Sequence, residues 1–260
     1  MKIIKGKQQV PRRVMLYGTH GIGKSSWAAQ APDVLFLNLE DGLNDIDCAK
    51  TQHLKTWADL MAALSWLFAN PQHGFRWLAI DTVDWLEGII HADVAEKAGK
   101  KSIADIPYGA GYKQAVVLWD TLLDGLDQMR RLQGVGIILL AHSVVRRHQD
   151  PATDSYDRYQ PALHETASAL LQEWCDEVLF ASYRVYLKKE DQGFNKERTI
   201  AAGSGERYLR CTETPAALAK NRLSLPAEAE FSWAAYAQHF NVAAPGNIAG
   251  VVVDGTSKKG

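Results

Sequence analysis

Eight residues near the start of the chain, Gly18-Thr19-His20-Gly21-Ile22-Gly23-Lys24-Ser25, follow the spacing G-x-x-x-x-G-K-[ST]. Glycines at these positions let backbone N–H groups curl round phosphate oxygens with no side chain in the way. The lysine after the last glycine neutralises charge on the β- and γ-phosphates, and the next hydroxyl ligates Mg²⁺. Background residue usage produces this pattern by chance in roughly 1% of chains of this length, so an incidental glycine turn is the weaker account. The expected ligands are a nucleoside triphosphate and Mg²⁺, held by Gly18, Thr19, His20, Gly21, Ile22, Gly23, Lys24, Ser25 and Ser26.

Other residues gain meaning from this loop. Asp81 closes an apolar run and precedes Thr82. At the carboxyl end of a parallel strand it faces the phosphate crevice and, with Ser25, completes a Mg²⁺ site; the competing reading is a helix N-cap. Asp84 reads as solvated. Hydrolysis needs a group that polarises water, and Glu40 and Asp41 both end a strand beside the loop; spacing alone leaves either as the polariser or both as solvated turn acids. His142 ends another strand, where it either touches the γ-phosphate or is satisfied by nearby backbone. Arg146, Arg147, His148 and Arg158, interleaved with Tyr156 and Tyr159, suit single-stranded nucleic acid. Asp150, Asp154 and Asp157 nearly cancel that charge, so the bare pattern favours a solvated loop. Lys220 and Arg222 alternate on an extended segment as a pair of cations, either a basic surface turn or fingers aimed at a neighbour's triphosphate. Arg130 and Arg131 read as a solvated helix face.

The elements that must position these groups alternate. Apolar runs at Arg13–Tyr17, Asp33–Leu39, Trp77–Ile80 and Gly136–Ala141 predict strands. Helical spacing predicts helices over Ser25–Gln30, Trp57–Phe68, Trp85–Glu96 and Lys113–Leu132. Strands alternating with helices imply an α/β fold with a mostly parallel sheet. Beyond residue 174, Glu177–Leu187, Arg198–Ala202 and Arg207–Cys211 read as consecutive strands joined by polar turns such as Asp191-Gln192-Gly193, an antiparallel extension at the sheet edge. Trp233–Phe240 reads as a closing helix. The expected organisation is a lead-in over 1–12, one domain over 13–240 with antiparallel edge strands at about 176–212, and a flexible tail over 241–260.

The whole composition sets bounds. The chain has 260 residues, 47% hydrophobic and 23% charged, with a formal net charge of −1, which excludes a disordered chain and binding by bulk positive charge. Cys48, Cys175 and Cys211 are far apart with no C-x-x-C pair, which argues against a disulfide framework or a zinc site built on cysteine. No segment resembles a signal peptide or reaches the ~18 apolar residues of a membrane span, so a soluble, cytoplasmic protein is expected.

The order of these residues resembles the RecA-like recombinase core, and more closely the phage ATP-binding proteins of that superfamily that act in single-strand annealing. The likeness runs from about Val14 to Phe231. Phe36–Leu43, FLNLEDGL, resembles the strand whose terminal glutamate activates water, which favours Glu40 over Asp41. Leu78–Asp81 falls at the second acidic motif, and Ile137–Ser143 resembles the strand that ends in a γ-phosphate sensor, with His142 where RecA carries glutamine. The segment after His142 then takes the place of the second DNA-binding loop. Phe180–Lys189 resembles the strand after that loop, and Lys220 and Arg222 fall where RecA filaments present paired cations to the neighbouring ATP. Asp105–Tyr112, DIPYGAGY, resembles a segment common in these phage proteins. The likeness implies a Mg²⁺-dependent ATPase stimulated by single-stranded DNA. It also implies a homo-oligomer, ring or filament, with ATP at its interfaces and a single-strand-binding protein as a further partner. The alternatives are a replicative motor or helicase loader on the same core and a small-molecule kinase, although no arginine-rich lid is visible.

Overall fold

A computed structural model of the chain describes residues 5–6, 10–151, 153–191 and 197–240, with backbone alone over 187–191 and 197–204. Strands and helices alternate through its first half: β1 (Arg13–Gly18), α1 (Lys24–Ala28), β2 (Val34–Asn38), β3 (Ala49–Lys50), α2 (Trp57–Ala69), β4 (Trp77–Asp81) and α3 (Val83–Lys97). Two 3-10 turns, Ile103–Asp105 and Pro107–Gly109, lead into α4 (Ala110–Gln133). There follow β5 (Gly136–His148), β6 (Tyr156–Pro161), α5 (Glu165–Trp174), β7 (Glu177–Asp191), β8 (Glu197–Arg210), β9 (Lys220–Asn221), β10 (Glu228–Glu230) and α6 (Trp233–Ala237).

Among the described residues these strands form one sheet in the order β10-β8-β7-β1-β5-β4-β2-β3, with β6 paired to β5 and β9 to β7. From β7 to β3 every pairing on that path is parallel, so the fold is the expected α/β core with a mostly parallel sheet. Strand residues alternate between two cores. Met15, Tyr17, Leu37, Ile80 and Leu139 face the side covered by α2 to α5, and Val14, Leu16, Phe36, Ala79 and Ile138 face α1 and α6. With both faces covered, alternation disappears from the sequence and each strand reads as an unbroken apolar run. On the second face the Trp233 ring of α6 meets Trp27 of α1 at 5.0 Å and Trp77 of β4 at 4.9 Å, both edge to face. At the start of α2, Thr56 and Asp59 each accept the other's backbone N–H, a capping box that fixes the helix start at Trp57.

Four readings of the sequence are corrected. First, β7 lies parallel to β1, Gly18 opposite Ala181, so it belongs to the central sheet and the antiparallel extension begins one strand later. Second, Arg198–Ala202 and Arg207–Cys211 are not two strands. The residues between them sit at a bulge where the register against β7 shifts between Tyr183 and Val185, with Gly205 at φ 73°, inside the single strand β8. Gln192 and Gly193 of the expected turn, and the expected tail over 241–260, lie outside the described residues. Third, β5 continues past Ala141 to His148 and folds back on β6, so the basic-aromatic segment is a hairpin rather than a loop; its charges hid a period-2 pattern. Fourth, Arg130 is buried: its Nε donates to Pro11 O at 2.6 Å and it pairs with Asp127 at 3.2 Å, while Arg131 is exposed as expected.

Helix α3 starts directly after β4 and carries Asp84 and Glu87 three residues apart, hence on one face. Glu87 is buried, and both its oxygens accept the backbone N–H of His164, at 3.0 and 2.9 Å. His164 is the N-cap of α5 and makes no side-chain cap bond of its own, so Glu87 caps α5 from a neighbouring helix. The ring of Tyr112, from the Asp105–Tyr112 segment, stacks on His164 at 4.5 Å and braces the same junction. Burial pushes the Glu87 carboxyl from 4.5 up to about 7, against the opposing pull of the His164 N–H and Arg146. Between those values the folded chain holds a proton that the unfolded chain has lost, so stability falls as pH rises through that window. The separation corresponds to about 3 kcal/mol. Urea unfolding of wild type and Glu87→Gln across this window should show the difference moving in the variant's favour by about that amount. A difference that stays constant with pH would contradict the assignment.

Candidate active site

The parallel register brings the chemistry-bearing residues to one end of the sheet. Gly18 of β1 lies opposite His142 of β5, and Asn38 of β2 lies opposite Asp81 of β4. Gly18 ends β1 against β7, and a Cβ there would meet the Ala181 carbonyl oxygen at 2.6 Å, so only glycine allows this approach. The loop ends at Gly23, whose φ of 97° starts α1 from a left-handed conformation.

Lys24 is 6% exposed, and its Nζ donates to the carbonyls of Gly18 and Thr19 at 3.2 and 3.1 Å. Burial lowers its pKa, opposed by the nearby Asp81, Asp84 and Glu40 carboxylates. The ammonium thus lies across the glycine loop on carbonyl dipoles, which only approximate the charge-assisted partner that a phosphate supplies. Ser25 Oγ donates to Asp81 Oδ2 at 2.6 Å. Burial raises the Asp81 carboxyl, with the Ser25 bond working against the rise and Glu40 adding to it. A buried carboxylate beside a hydroxyl is a hard-oxygen donor set of the kind Mg²⁺ takes, so Ser25 and Asp81 fit the expected ion. Thr82, not Asp81, is the N-cap of α3. Thr19, His20 and Ser26 are exposed at the mouth.

Glu40 and Asp41 separate clearly. Glu40 Oε1 lies 3.7 Å from His142 Nε2, inside the site. The Asp41 side chain is 56% exposed and faces the His53 ring, with Nδ1 at 3.9 Å. His142 is held from behind by Asp84, which accepts its backbone N–H at 2.9 Å and pairs with its Nδ1 at 2.8 Å. Burial opposes the charge of Asp84, but the His142 hydrogen bonds outweigh it and hold the carboxyl below its ordinary range. Asp84 is therefore part of the site rather than solvated. With Nδ1 committed to Asp84, the ring turns Nε2 towards Glu40.

A second residue that spacing does not reveal is Arg207 of β8. Its Nη1 donates to Ile22 O at 3.0 Å and its guanidinium lies over the Phe231 ring at 5.0 Å, bracing the outside of the loop. Its partner is 185 residues away in sequence, so no local signal exists.

The remaining candidates divide: Arg146, Arg158 and Lys220 are taken up by internal partners, while Arg147 and Arg222 stay at the surface. Arg158 is buried and bonded to Glu213, and Arg146 donates to Leu163 O at 2.7 Å, so both face inward and brace the hairpin. Arg147 is exposed beside Asp157 at 3.9 Å, and His148 packs on the Tyr156 ring at 5.2 Å. Lys220 is no free finger: its Nζ donates to the carbonyls of Gln172, Glu173 and Cys175 at 2.8, 2.8 and 2.7 Å. Those are the last carbonyls of α5, which a cation caps. Arg222 is 54% exposed, with Asp176 at 3.4 Å. Both lie toward the amino-terminal end of β7, away from the phosphate end.

A family model described as an AAA domain matches residues 10–223, which include the glycine loop, Glu40, Asp81, Asp84, His142 and Arg222. The chain belongs to the AAA domain family. This makes it a nucleotide-binding P-loop protein of ATPase type, in agreement with the fold and the geometry of the loop. No curated protein matches it. No described helix of this AAA domain is long and apolar enough to cross a membrane.

Two substitutions separate binding from positioning. Lys24→Ala should weaken nucleotide binding more than tenfold, since a charge-assisted contact is worth about 1.5–3 kcal/mol. Asp84→Asn should leave binding within a few-fold and slow turnover roughly tenfold or more, because the neutral amide no longer fixes the His142 ring. Fluorescent-nucleotide titration and phosphate release measure the two effects. Tight binding by folded Lys24→Ala would contradict the assignment of the loop.

Proposed function

We propose that this AAA domain hydrolyses ATP with Mg²⁺ and couples hydrolysis to single-stranded DNA, in strand annealing or recombination of the phage type. On this reading it works as a homo-oligomer with ATP at the subunit interfaces, together with a single-strand-binding protein. The observation that carries the coupling is β5. It reaches His142 at the nucleotide end of the sheet and runs on without a break to Arg147 and His148 in the hairpin.

In the hydrolytic step the loop N–H groups and Lys24 hold the phosphates. Bound at Ser25 and Asp81, Mg²⁺ supplies positive charge that offsets the charge of the phosphate oxygens. Glu40 orients and polarises the attacking water, and His142 Nε2 faces the same space, where it distinguishes a terminal phosphate from its absence. Any shift of His142 moves the hairpin, because the two are one strand, and it strains the Asp84 contact on α3. Helix α3 also holds α5 through Glu87, so both exits from the site meet on one helix.

On the hairpin, Arg147, His148, Tyr156 and Tyr159 offer a cation and stacking surfaces, with Tyr159 38% exposed. Asp157 beside Arg147 limits the net charge, so stacking contributes more than phosphate contacts. With Lys220 committed to α5, Arg222 is the cation left to reach the nucleotide of a neighbouring subunit.

The expected result is ATPase activity stimulated by single-stranded DNA. DNA affinity should fall with salt at a shallow logarithmic slope, about −1 to −2, since each single-strand phosphate contact contributes about −0.7. Arg147→Ala should reduce that slope by about 0.7 without changing basal hydrolysis. Activity indifferent to DNA, with no DNA binding at low salt, would overturn the reading. Turnover that requires a small-molecule phosphate acceptor would put a kinase in its place.

A further inference from the structure

Three side chains of different elements converge at the mouth of the site: His20 of the glycine loop, Glu40 after β2 and His142 of β5. Their nearest ligand atoms all lie within 4.8 Å of one another. The His20 and His142 rings are stacked at 3.7 Å between centroids, and His142 Nε2 is 3.7 Å from Glu40 Oε1. We infer that these three residues form a second metal site, selective for Zn²⁺ or a similar borderline ion, distinct from the oxygen site of Ser25 and Asp81, and inhibitory to hydrolysis.

Two imidazoles and one carboxylate form a donor set that favours Zn²⁺ and its first-row neighbours over Mg²⁺. Zn–N and Zn–O bonds of about 2.0–2.2 Å place tetrahedral ligand atoms roughly 3.3 Å apart. The Glu40–His142 edge is already near that value. His20 has at most about 1.5 Å to close, and it is exposed on the loop, where a ring rotation covers that distance. The outer contact is built as metal sites build it: a metal-binding histidine gives its other ring nitrogen to a carboxylate, and His142 gives Nδ1 to Asp84 at 2.8 Å. This leaves Nε2 as the ligand atom and fixes its direction. Three protein ligands leave a fourth position open to water or to a terminal phosphate oxygen. An ion here would take the Glu40 carboxylate, the group that polarises water in the proposed reaction. Metal binding itself needs neither nucleotide nor hydrolysis, so it stands or falls apart from that reaction.

The test is titration of the full chain with Co²⁺ alone, in excess Mg²⁺ to fill the oxygen site and without nucleotide. The intense visible bands of four-coordinate Co²⁺ should appear at one equivalent and vanish on adding one equivalent of Zn²⁺. His20→Ala, a change on an exposed loop, should lose the bands and weaken Zn²⁺ binding at least tenfold; Asp84→Asn should weaken it roughly 10–100-fold. His53→Ala, at the nearby Asp41, should leave the spectrum unchanged. Zn²⁺ should inhibit wild-type hydrolysis at the concentrations that displace Co²⁺. Only the weak bands of six-coordinate Co²⁺, or strong bands that survive in His20→Ala, would overturn the site. Strong bands with unaffected hydrolysis would keep the site and remove its inhibitory role.

Discussion

The site rests on one electrostatic constraint: an ammonium and three carboxylates held together largely out of water. Burial weakens the charge of Lys24, and Asp81, Asp84 and Glu40 restore it. Hydrogen bonds temper two of the three acids, from Ser25 to Asp81 and from His142 to Asp84. Removing a single partner from such a group commonly costs about 3–5 kcal/mol, because the others are left uncompensated. The arrangement therefore needs the strand ends in register, and the parallel pairings of β1, β5, β4 and β2 supply it. The excess of negative charge beside Ser25 is what a divalent cation would neutralise, and the backbone N–H groups of the glycine loop are what phosphate oxygens would meet.

Helix α3 ties this charge cluster to the rest of the molecule. Asp84 grips the middle of β5 at His142 and Glu87 grips the start of α5 at His164, each by accepting a backbone N–H. The two contacts lie one turn apart on a rigid element, so the nucleotide end of the sheet and the entry to α5 are fixed relative to each other. Strand β5 then carries position outward to the hairpin. Sequence-distant contacts of this kind, between residues 58 and 77 positions apart, couple a site to a surface in a small α/β domain.

Much of this was legible from residue order. The glycine loop, the apolar strands and Asp81 at a strand end rest on local rules: turn geometry, burial on both faces and the direction of parallel strands. What escaped depends on contacts across the sheet. Asp84 has the sequence appearance of a solvated first-turn acid, and only the placement of His142 above it makes it a site residue. Lys220 and Arg158 read as available for ligands because a cation's sequence-distant partners, here the α5 carbonyls and Glu213, do not show in its neighbours. The hairpin is obscured for a similar reason, since the charges of Arg146, Arg147 and Asp157 mask its alternation. The resemblance favours Glu40 over Asp41, and in the fold Glu40 faces His142 while Asp41 faces His53.

The central claim is that the Glu40 carboxylate is what turns a nucleotide-binding loop into a hydrolytic site. Single-turnover hydrolysis of ATP by Glu40→Gln, set beside Asp41→Asn and wild type, tests it most directly. The account predicts ATP affinity within a few-fold of wild type for both variants. It predicts a chemical step slowed roughly 10²-fold or more in Glu40→Gln and nearly unchanged in Asp41→Asn. A Glu40→Gln protein that hydrolyses bound ATP at the wild-type rate, or an order of effects reversed between the two variants, would contradict it.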